Sequence, residues 1–219
     1  MYIWNHFTVS DDLSQEIRNY YKDSYYLRKQ VQKIMYEEDN GFQLLKIEDV
    51  LTKCPLFRAW TIDNRIDLEM IGFLICSPFY DLGHCHIDEC NSGVSINFPV
   101  SGCGTDDAES DTAFYEPNPD VDNIELDKNN NKRRFINMSE NWKEITRYQS
   151  IGPTICINTI PHVFRNYGEA IRITMTVRSS PETVPYHLMD GWNDETDEIY
   201  WTPGWQERLA NSQYGYKGP

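Results

Sequence analysis

Residues 162–178 read His-Val-Phe-Arg-Asn-Tyr-Gly-Glu-Ala-Ile-Arg-Ile-Thr-Met-Thr-Val-Arg. The run Ile171–Val177 alternates in character, the period of two expected of a half-buried strand. His162–Asn166 is a second short strand, and Asn166-Tyr167-Gly168 reads locally as a three-residue hairpin loop with glycine in the left-handed position.

The same texture extends toward the N-terminus as short apolar runs separated by Gly, Pro, Asn and Asp. Strands are expected over Leu68–Cys76, His84–Asp88, Val94–Val100, Thr112–Tyr115, Trp142–Tyr148, Thr154–Asn158, His162–Asn166 and Ile171–Arg178. About eight short strands without intervening helices imply an antiparallel barrel or jelly roll. Residues 1–65 look mainly helical. Ser10-Asp11-Asp12 caps a helix bearing Leu13, Ile17, Tyr20 and Tyr21, a second runs through Arg28–Tyr36, and a third spans Ile47–Thr52 with Pro55 limiting its end.

Chemistry concentrates at His86-Ile87-Asp88. Residues two apart on a strand share a face, so His86 and Asp88 can approach one point while Ile87 packs behind. Joined by a distant histidine, an imidazole and a carboxylate form a 2-His-1-carboxylate triad, which leaves coordination positions open for an oxo-acid and dioxygen. An H-x-D triplet alone arises often by chance. His162, directly after Pro161, supplies the distant partner. Ten residues further comes Arg172, with Thr174 two beyond it on the same face. Arginine offers a fixed fork of donors suited to a carboxylate, and threonine one more. His84 is a rival ligand on the face of His86, although three protein ligands suit oxygen chemistry better.

In order and spacing, His86-x-Asp88, His162 and Arg172-x-Thr174 resemble the Fe(II)/2-oxoglutarate-dependent dioxygenases. The resemblance covers roughly residues 70–178. It implies a mainly β fold, a double-stranded β-helix (jelly-roll, cupin-like) core with flanking N-terminal helices. It also implies Fe(II) held by His86, Asp88 and His162, and 2-oxoglutarate as co-substrate on Arg172 and Thr174. No catalytic residue beyond the metal ligands is expected. Asn97 and Tyr115, on strands that should line the barrel, are further candidates for touching the co-substrate, with Tyr80 a weaker one. In the resembling proteins the strands bearing the distal His and the Arg lie in opposite sheets, whereas the local turn reads as a hairpin. Both arrangements point the two side chains into one cavity, and local sequence does not choose.

The function implied is an oxygenase that hydroxylates an amino-acid side chain or a small metabolite. The alternative is a metal-binding, cupin-like β-barrel without oxygenase activity, either an isomerase or a binding module. Partners are then a small molecule or a residue of a peptide or protein. Net charge is −14, with 20 basic against 34 acidic residues, and the one basic cluster is Lys132-Arg133-Arg134. Nucleic acid is therefore not an expected partner. No apolar run is long enough to span a membrane, and the N-terminus lacks a secretory pattern. The six cysteines form no C-x-x-C pair and are expected as free thiols in a reducing, cytoplasmic compartment.

The 219 residues are expected to form a single domain. Its parts are a helical support over 1–65, a barrel core over 66–178 and a tail over 179–219. Arg165 and Arg178 read as surface charges or anion contacts. The core carries a polar, loop-like insertion over 116–141. The tail, with Trp192, Trp201 and Trp205, is expected to wrap the domain, with a lid over the pocket mouth or a subunit contact as alternatives, and the insertion is a second candidate to close over that mouth.

Overall fold

The computed structural model describes residues 3–38, 40–80, 85–88, 93–103, 110–116, 124–127, 132–135, 143–180, 183 and 185–188. Two six-stranded antiparallel sheets form the body of the fold. The first runs in the order β1 (Trp4–His6), β10 (Thr154–Ile157), β5 (Val94–Ser101), β12 (Arg172–Ser179), β3 (Leu68–Cys76) and β2 (Asn40–Leu45). The second runs β7 (Ile124–Asp127), β8 (Lys132–Phe135), β4 (His86–Asp88), β11 (His162–Asn166), β6 (Ser110–Tyr115) and β9 (Glu144–Gln149). From β3 to β6, and again from β9 to β12, each successive strand joins the other sheet. This is the jelly-roll, double-stranded β-helix arrangement, mainly β with flanking helices.

The helices are α1 (Asp11–Asp23), α2 (Tyr25–Glu38), α3 (Ile47–Lys53) and α4 (Pro55–Asp63). Ser10 caps α1 as expected, its Oγ accepting from the Leu13 amide at 3.2 Å. Helical aromatics cover the outer face of the first sheet. Phe57 and Trp60 meet Phe98 of β5 edge to face, and Tyr20 and Tyr21 lie against Phe73 of β3.

Strand alternation then sorts the first sheet into two faces. On β12, Ile173, Met175 and Val177 stand opposite Ile75, Phe73 and Ile71 of β3, and join the apolar core under the helices. Arg172, Thr174, Thr176 and Arg178 point the other way, toward the second sheet. On β5, Val94, Ile96, Phe98 and Val100 belong to the apolar side, and Ser95 and Asn97 to the inner side. The apolar core therefore lies between helices and sheet, and the space between the sheets is lined by polar groups.

Several elements depart from the sequence reading. β1 and β2 lie in the segment read as helical, and Pro55 opens α4 instead of merely ending α3, because proline at the first helical position gives up an amide that needs no partner. β7 and β8 lie within the stretch read as loop, and β8 pairs with the strand of His86 and Asp88. Asn166-Tyr167-Gly168 is a turn between sheets, not a hairpin within one. Asn166 Nδ2 donates to the Ser77 and Ala170 carbonyls at 2.7 and 2.8 Å, and the Gly168 amide donates to its Oδ1. The 179–219 tail beyond Leu188 and most of the 116–141 insertion lie outside the described residues, so the wrapping and closing expected of them is not addressed. Among the described residues no helix is long and apolar enough to cross a membrane, and Cys54 and Cys103 carry free thiols.

Gly102, just beyond β5, has φ +61°, and a Cβ there would collide with the Ile171 carbonyl at the entrance to β12. Gly102→Ala is expected to destabilise by about 2–4 kcal/mol, combining left-handed strain with overpacking, and to lower the melting temperature by roughly 5–15 °C. Thermal unfolding followed by circular dichroism checks this, and an unchanged midpoint contradicts the turn geometry.

Candidate metal centre

β4 and β11 are antiparallel neighbours with His162 directly opposite His86, which places both imidazoles on the inner face of the second sheet. Their ring centroids are 4.5 Å apart. Asp88, two residues along β4, shares that face, and its Oδ1 lies 3.8 Å from His86 Nε2. One ligand atom from each of His86, Asp88 and His162 falls within 4.8 Å of the others, and all three side chains are buried. His162 Nδ1 lies 2.8 Å from the Ile160 carbonyl. A carbonyl only accepts, so the proton sits on Nδ1 and Nε2 turns its lone pair toward His86 and Asp88. Two imidazole nitrogens and one carboxylate oxygen, converging in a buried polar space, are a donor set that fits a divalent transition metal with open positions.

Asp88 is held from two directions. Its Oδ2 accepts from Arg178 Nη2 at 2.5 Å and from Asn158 Nδ2 at 3.2 Å, and its amide donates to the Asn158 carbonyl at 2.9 Å. Asn158 Nδ2 also reaches Ser95 Oγ at 2.7 Å.

Arg172 lies at the other end of the inner face of β12 and is only 2% exposed. Its Nη1 donates to the Asp111 and Arg165 carbonyls at 2.7 and 3.0 Å, and its Nη2 to Ser150 Oγ and Thr112 Oγ1 at 2.6 and 3.3 Å. Phe164 stands between this guanidinium and the triad. Its ring is 5.4 Å from Arg172 Cζ and 5.3 Å, edge to face, from the His162 ring. Thr174 is buried on the same strand face, with the Cys103 thiol 3.7 Å from its hydroxyl. Asn97 faces inward and donates to the Tyr148 hydroxyl at 3.2 Å.

The structure thus brings together His86, Asp88, His162, Arg172, Thr174 and Asn97. It does not bring Tyr115. That residue follows Phe114, whose ring is 5.8 Å from His162, and its hydroxyl falls among Arg165, Glu144 and Arg147 on the opposite face of β6. A bulge at Phe114/Tyr115 does not return it to the cavity. Tyr80 bridges Asn166 through its backbone. Arg165 is committed to Asp111 on the outer face. His84 lies outside the described residues.

Sequence reasoning missed Tyr148, Thr112, Ser150, Asn158 and the role of Arg178. The one local signal available was period: Thr112 shares a strand face with Phe114, and Arg178 with Arg172. Burial pushes the Tyr148 hydroxyl well above the usual tyrosine range, with the nearby Cys156 adding to it and Arg172, Thr112 and Asn97 opposing it.

No protein-family model and no curated protein matches this chain. Among solved structures it is similar to a Pseudomonas putida prolyl-4-hydroxylase, with a TM-score of 0.38 and 13% identity over 81% of this chain and 92% of that one. It is also similar to Bacillus subtilis oxalate decarboxylase at pH 4.6, with a TM-score of 0.34 and 12% identity over 74% of this chain and 35% of that one. A Lactobacillus farciminis oxalate decarboxylase in complex with formate gives a TM-score of 0.34 and 11% identity over 66% and 30%. The chain spans a third or so, or less, of the length of these decarboxylases. Likenesses this distant do not assign a site, and the chemistry rests on the residues themselves.

The raised Tyr148 pKa has a sign. The unfolded chain releases this proton near pH 10 while the folded chain holds it, so the contribution to stability is intact below pH 10 and declines above it. Tyr148→Phe, which cannot ionise, is expected to lose less stability than the wild type between about pH 9 and 11. Parallel denaturation curves across that range would contradict the buried placement of this hydroxyl.

Proposed function

We propose that this chain is an Fe(II)- and 2-oxoglutarate-dependent oxygenase that hydroxylates an amino-acid side chain or a small metabolite. The observation that carries the reading is a buried arginine on the same inner side of the two sheets as the His86, Asp88 and His162 donor set, with the Phe164 ring near both. Those three residues would hold the iron, which when bound supplies the redox chemistry that activates dioxygen at the expense of the oxo-acid.

The remaining work falls to the chain. A divalent ion on one carboxylate keeps a net positive charge, and Arg172 and Arg178 add two more. In a low-dielectric interior this calls for an anionic ligand, although the chain as a whole carries −14. A dicarboxylate chelating the metal at one end and reaching Arg172 at the other answers that need.

The Arg172 hydrogen bonds support this reading. Nη1 is anchored on two backbone carbonyls, which fixes the guanidinium plane. Nη2 meets two hydroxyls, Ser150 and Thr112, and each hydroxyl can turn from acceptor to donor. A carboxylate at this edge would receive N–H from Arg172 and O–H from both. Tyr148, kept protonated by its burial, stands opposite Thr112, and the Phe164 ring lies 5.4 Å from the Arg172 guanidinium carbon.

One observation favours the other reading, a metal-binding barrel without oxygenase activity: both Nη atoms of Arg172 already have partners. Succinate production from 2-oxoglutarate with Fe(II) and ascorbate separates the two. Turnover is expected even without prime substrate, and is expected to vanish in His86→Ala, which stays folded, and in Asp88→Asn, which keeps an acceptor for Arg178 but removes the anionic ligand. Arg172→Lys keeps the charge and loses the fork. It is expected to raise KM for 2-oxoglutarate by roughly one to two decades, the worth of a charge-assisted hydrogen bond of about 1.5–3 kcal/mol, with iron affinity little changed. Iron binding with no succinate released would select the non-oxygenase barrel.

A further inference from the structure

We infer that Arg178 and Asn158 are positioning residues that withdraw one oxygen of Asp88 from the metal, so that the carboxylate ligates through Oδ1 alone. The inference rests on reading His86, Asp88 and His162 as a metal site, but not on what that site does with 2-oxoglutarate.

A carboxylate ligates through one oxygen or two. If Asp88 used both, it would take a second coordination position and turn the open face of the triad into a more closed one. The structure commits Oδ2 elsewhere. Arg178 reaches it from β12 in the first sheet, and Asn158 from the turn after β10. The Arg178 and Asp88 side chains are only 15% and 7% exposed, so water does not compete well for either. Oδ1 is the oxygen left turned toward His86 Nε2.

The backbone alone does not supply this aim. β4 is three residues long, and among the described residues its pairing with β11 is the one pair His162 and His86. Asp88 lies beyond that pair, where its neighbour across the sheet is β8. The Asn158 carbonyl fixes the Asp88 amide, and the Asn158 and Arg178 side chains fix its carboxylate. Asn158 is in turn held by Ser95 of β5. The aspartate is therefore oriented from the first sheet while its strand belongs to the second. Arg178 shares a strand face with Arg172, so β12 alone presents both the residue that would grip the far end of a dicarboxylate and the residue that sets the metal's carboxylate.

Two effects of Arg178 on the ion oppose each other. Its charge disfavours a nearby cation, and its hydrogen bond preorganises the ligand. Losing an orienting partner of a metal ligand typically costs about 10–100-fold in affinity, and the variants separate the two effects. Arg178→Gln retains a donor without the charge, Arg178→Lys retains the charge with a different reach, and Arg178→Ala removes both.

Co(II) serves as the probe, because its visible spectrum reports coordination number without any turnover. The wild type is expected to bind one Co(II), and His86→Ala to lose it. Arg178→Ala and Asn158→Ala are expected to bind about 10–100-fold more weakly. Their absorption bands should change in intensity, as Oδ2 becomes free to ligate. Arg178→Gln or Arg178→Lys should recover part of both. Wild-type Co(II) affinity and spectrum in Arg178→Ala, whatever its melting temperature, would make the pair a brace between sheets and overturn the inference. Should Arg178→Ala not fold, Arg178→Lys and Asn158→Ala carry the same test. A wild type that binds no Co(II) overturns the metal reading and this inference together.

Discussion

The guanidinium of Arg172 sits inside the barrel at 2% exposure, and the donors it carries must find acceptors there. Most of the inter-sheet geometry follows from where it finds them. Arg172 belongs to β12 of the first sheet, and the carbonyls of Asp111 and Arg165 belong to β6 and β11 of the second. One side chain thereby sets how far apart the sheets stand at that end. Arg178 does the same at the other end of β12, through Asp88. A buried cation stripped of its partner costs several kcal/mol. The two arginines tolerate the interior only because the opposite sheet presents acceptors at the matching positions.

Stability and chemistry are accordingly separated across the first sheet. Its outer face packs Ile96, Phe98, Phe73, Met175 and Val177 beneath Phe57, Trp60 and Tyr20, an apolar layer that accounts for folding without any metal. Its inner face gives up apolar burial to Ser95, Asn97, Thr174, Thr176 and the two arginines; Asn97 donates to Tyr148, Arg172 to Thr112 and Ser150, and Arg178 to Asp88. A sheet with one dry face and one hydrogen-bonded face can hold a polar cavity rigid, because the helices on the far side fix the strands that line it.

How much of this was legible follows from which signals are local. Alternation along Ile171–Val177 showed β12 and its two faces, and the H-x-D triplet with His162 and Arg172 marked the cavity, since each is a period-two pattern within one strand. β1 was not legible, because three residues cannot display a period. β7 and β8, four residues each among Asn, Asp and Lys, were hidden by composition that reads as loop. Which face of β6 turns inward is decided by its pairing with β11, where Phe114 stands opposite His162, and that pairing is not visible in the local sequence. Tyr115 was therefore placed on the wrong side. Tyr148 stands opposite Thr112 across the β6–β9 pair, a contact that exists only after pairing is known. The Arg178–Asp88 bond spans 90 positions and two sheets, and no spacing rule within a strand reaches it.

The outer face of the second sheet explains how the inner one is kept in register. Asp111 and Arg165 are direct partners across β6 and β11. Their side chains meet outside the barrel, Arg165 Nε donating to Asp111 Oδ1 at 2.8 Å, and Arg147 of β9 adds a bond to Oδ2 while its other nitrogens grip Glu144 at 2.6 Å. Asp111 is buried, so this is a pair with more weight than an exposed salt bridge, although the Arg147–Glu144 arm is half in solvent and contributes little. The carbonyls of the same two residues are the acceptors that receive Arg172 on the inside. A slip of β6 against β11 by two residues would therefore break an ion pair outside and strip a buried guanidinium inside at once. β11 also carries His162, so a single strand contributes both a carbonyl acceptor for Arg172 and a histidine of the donor set, between β6 on one side and β4 on the other.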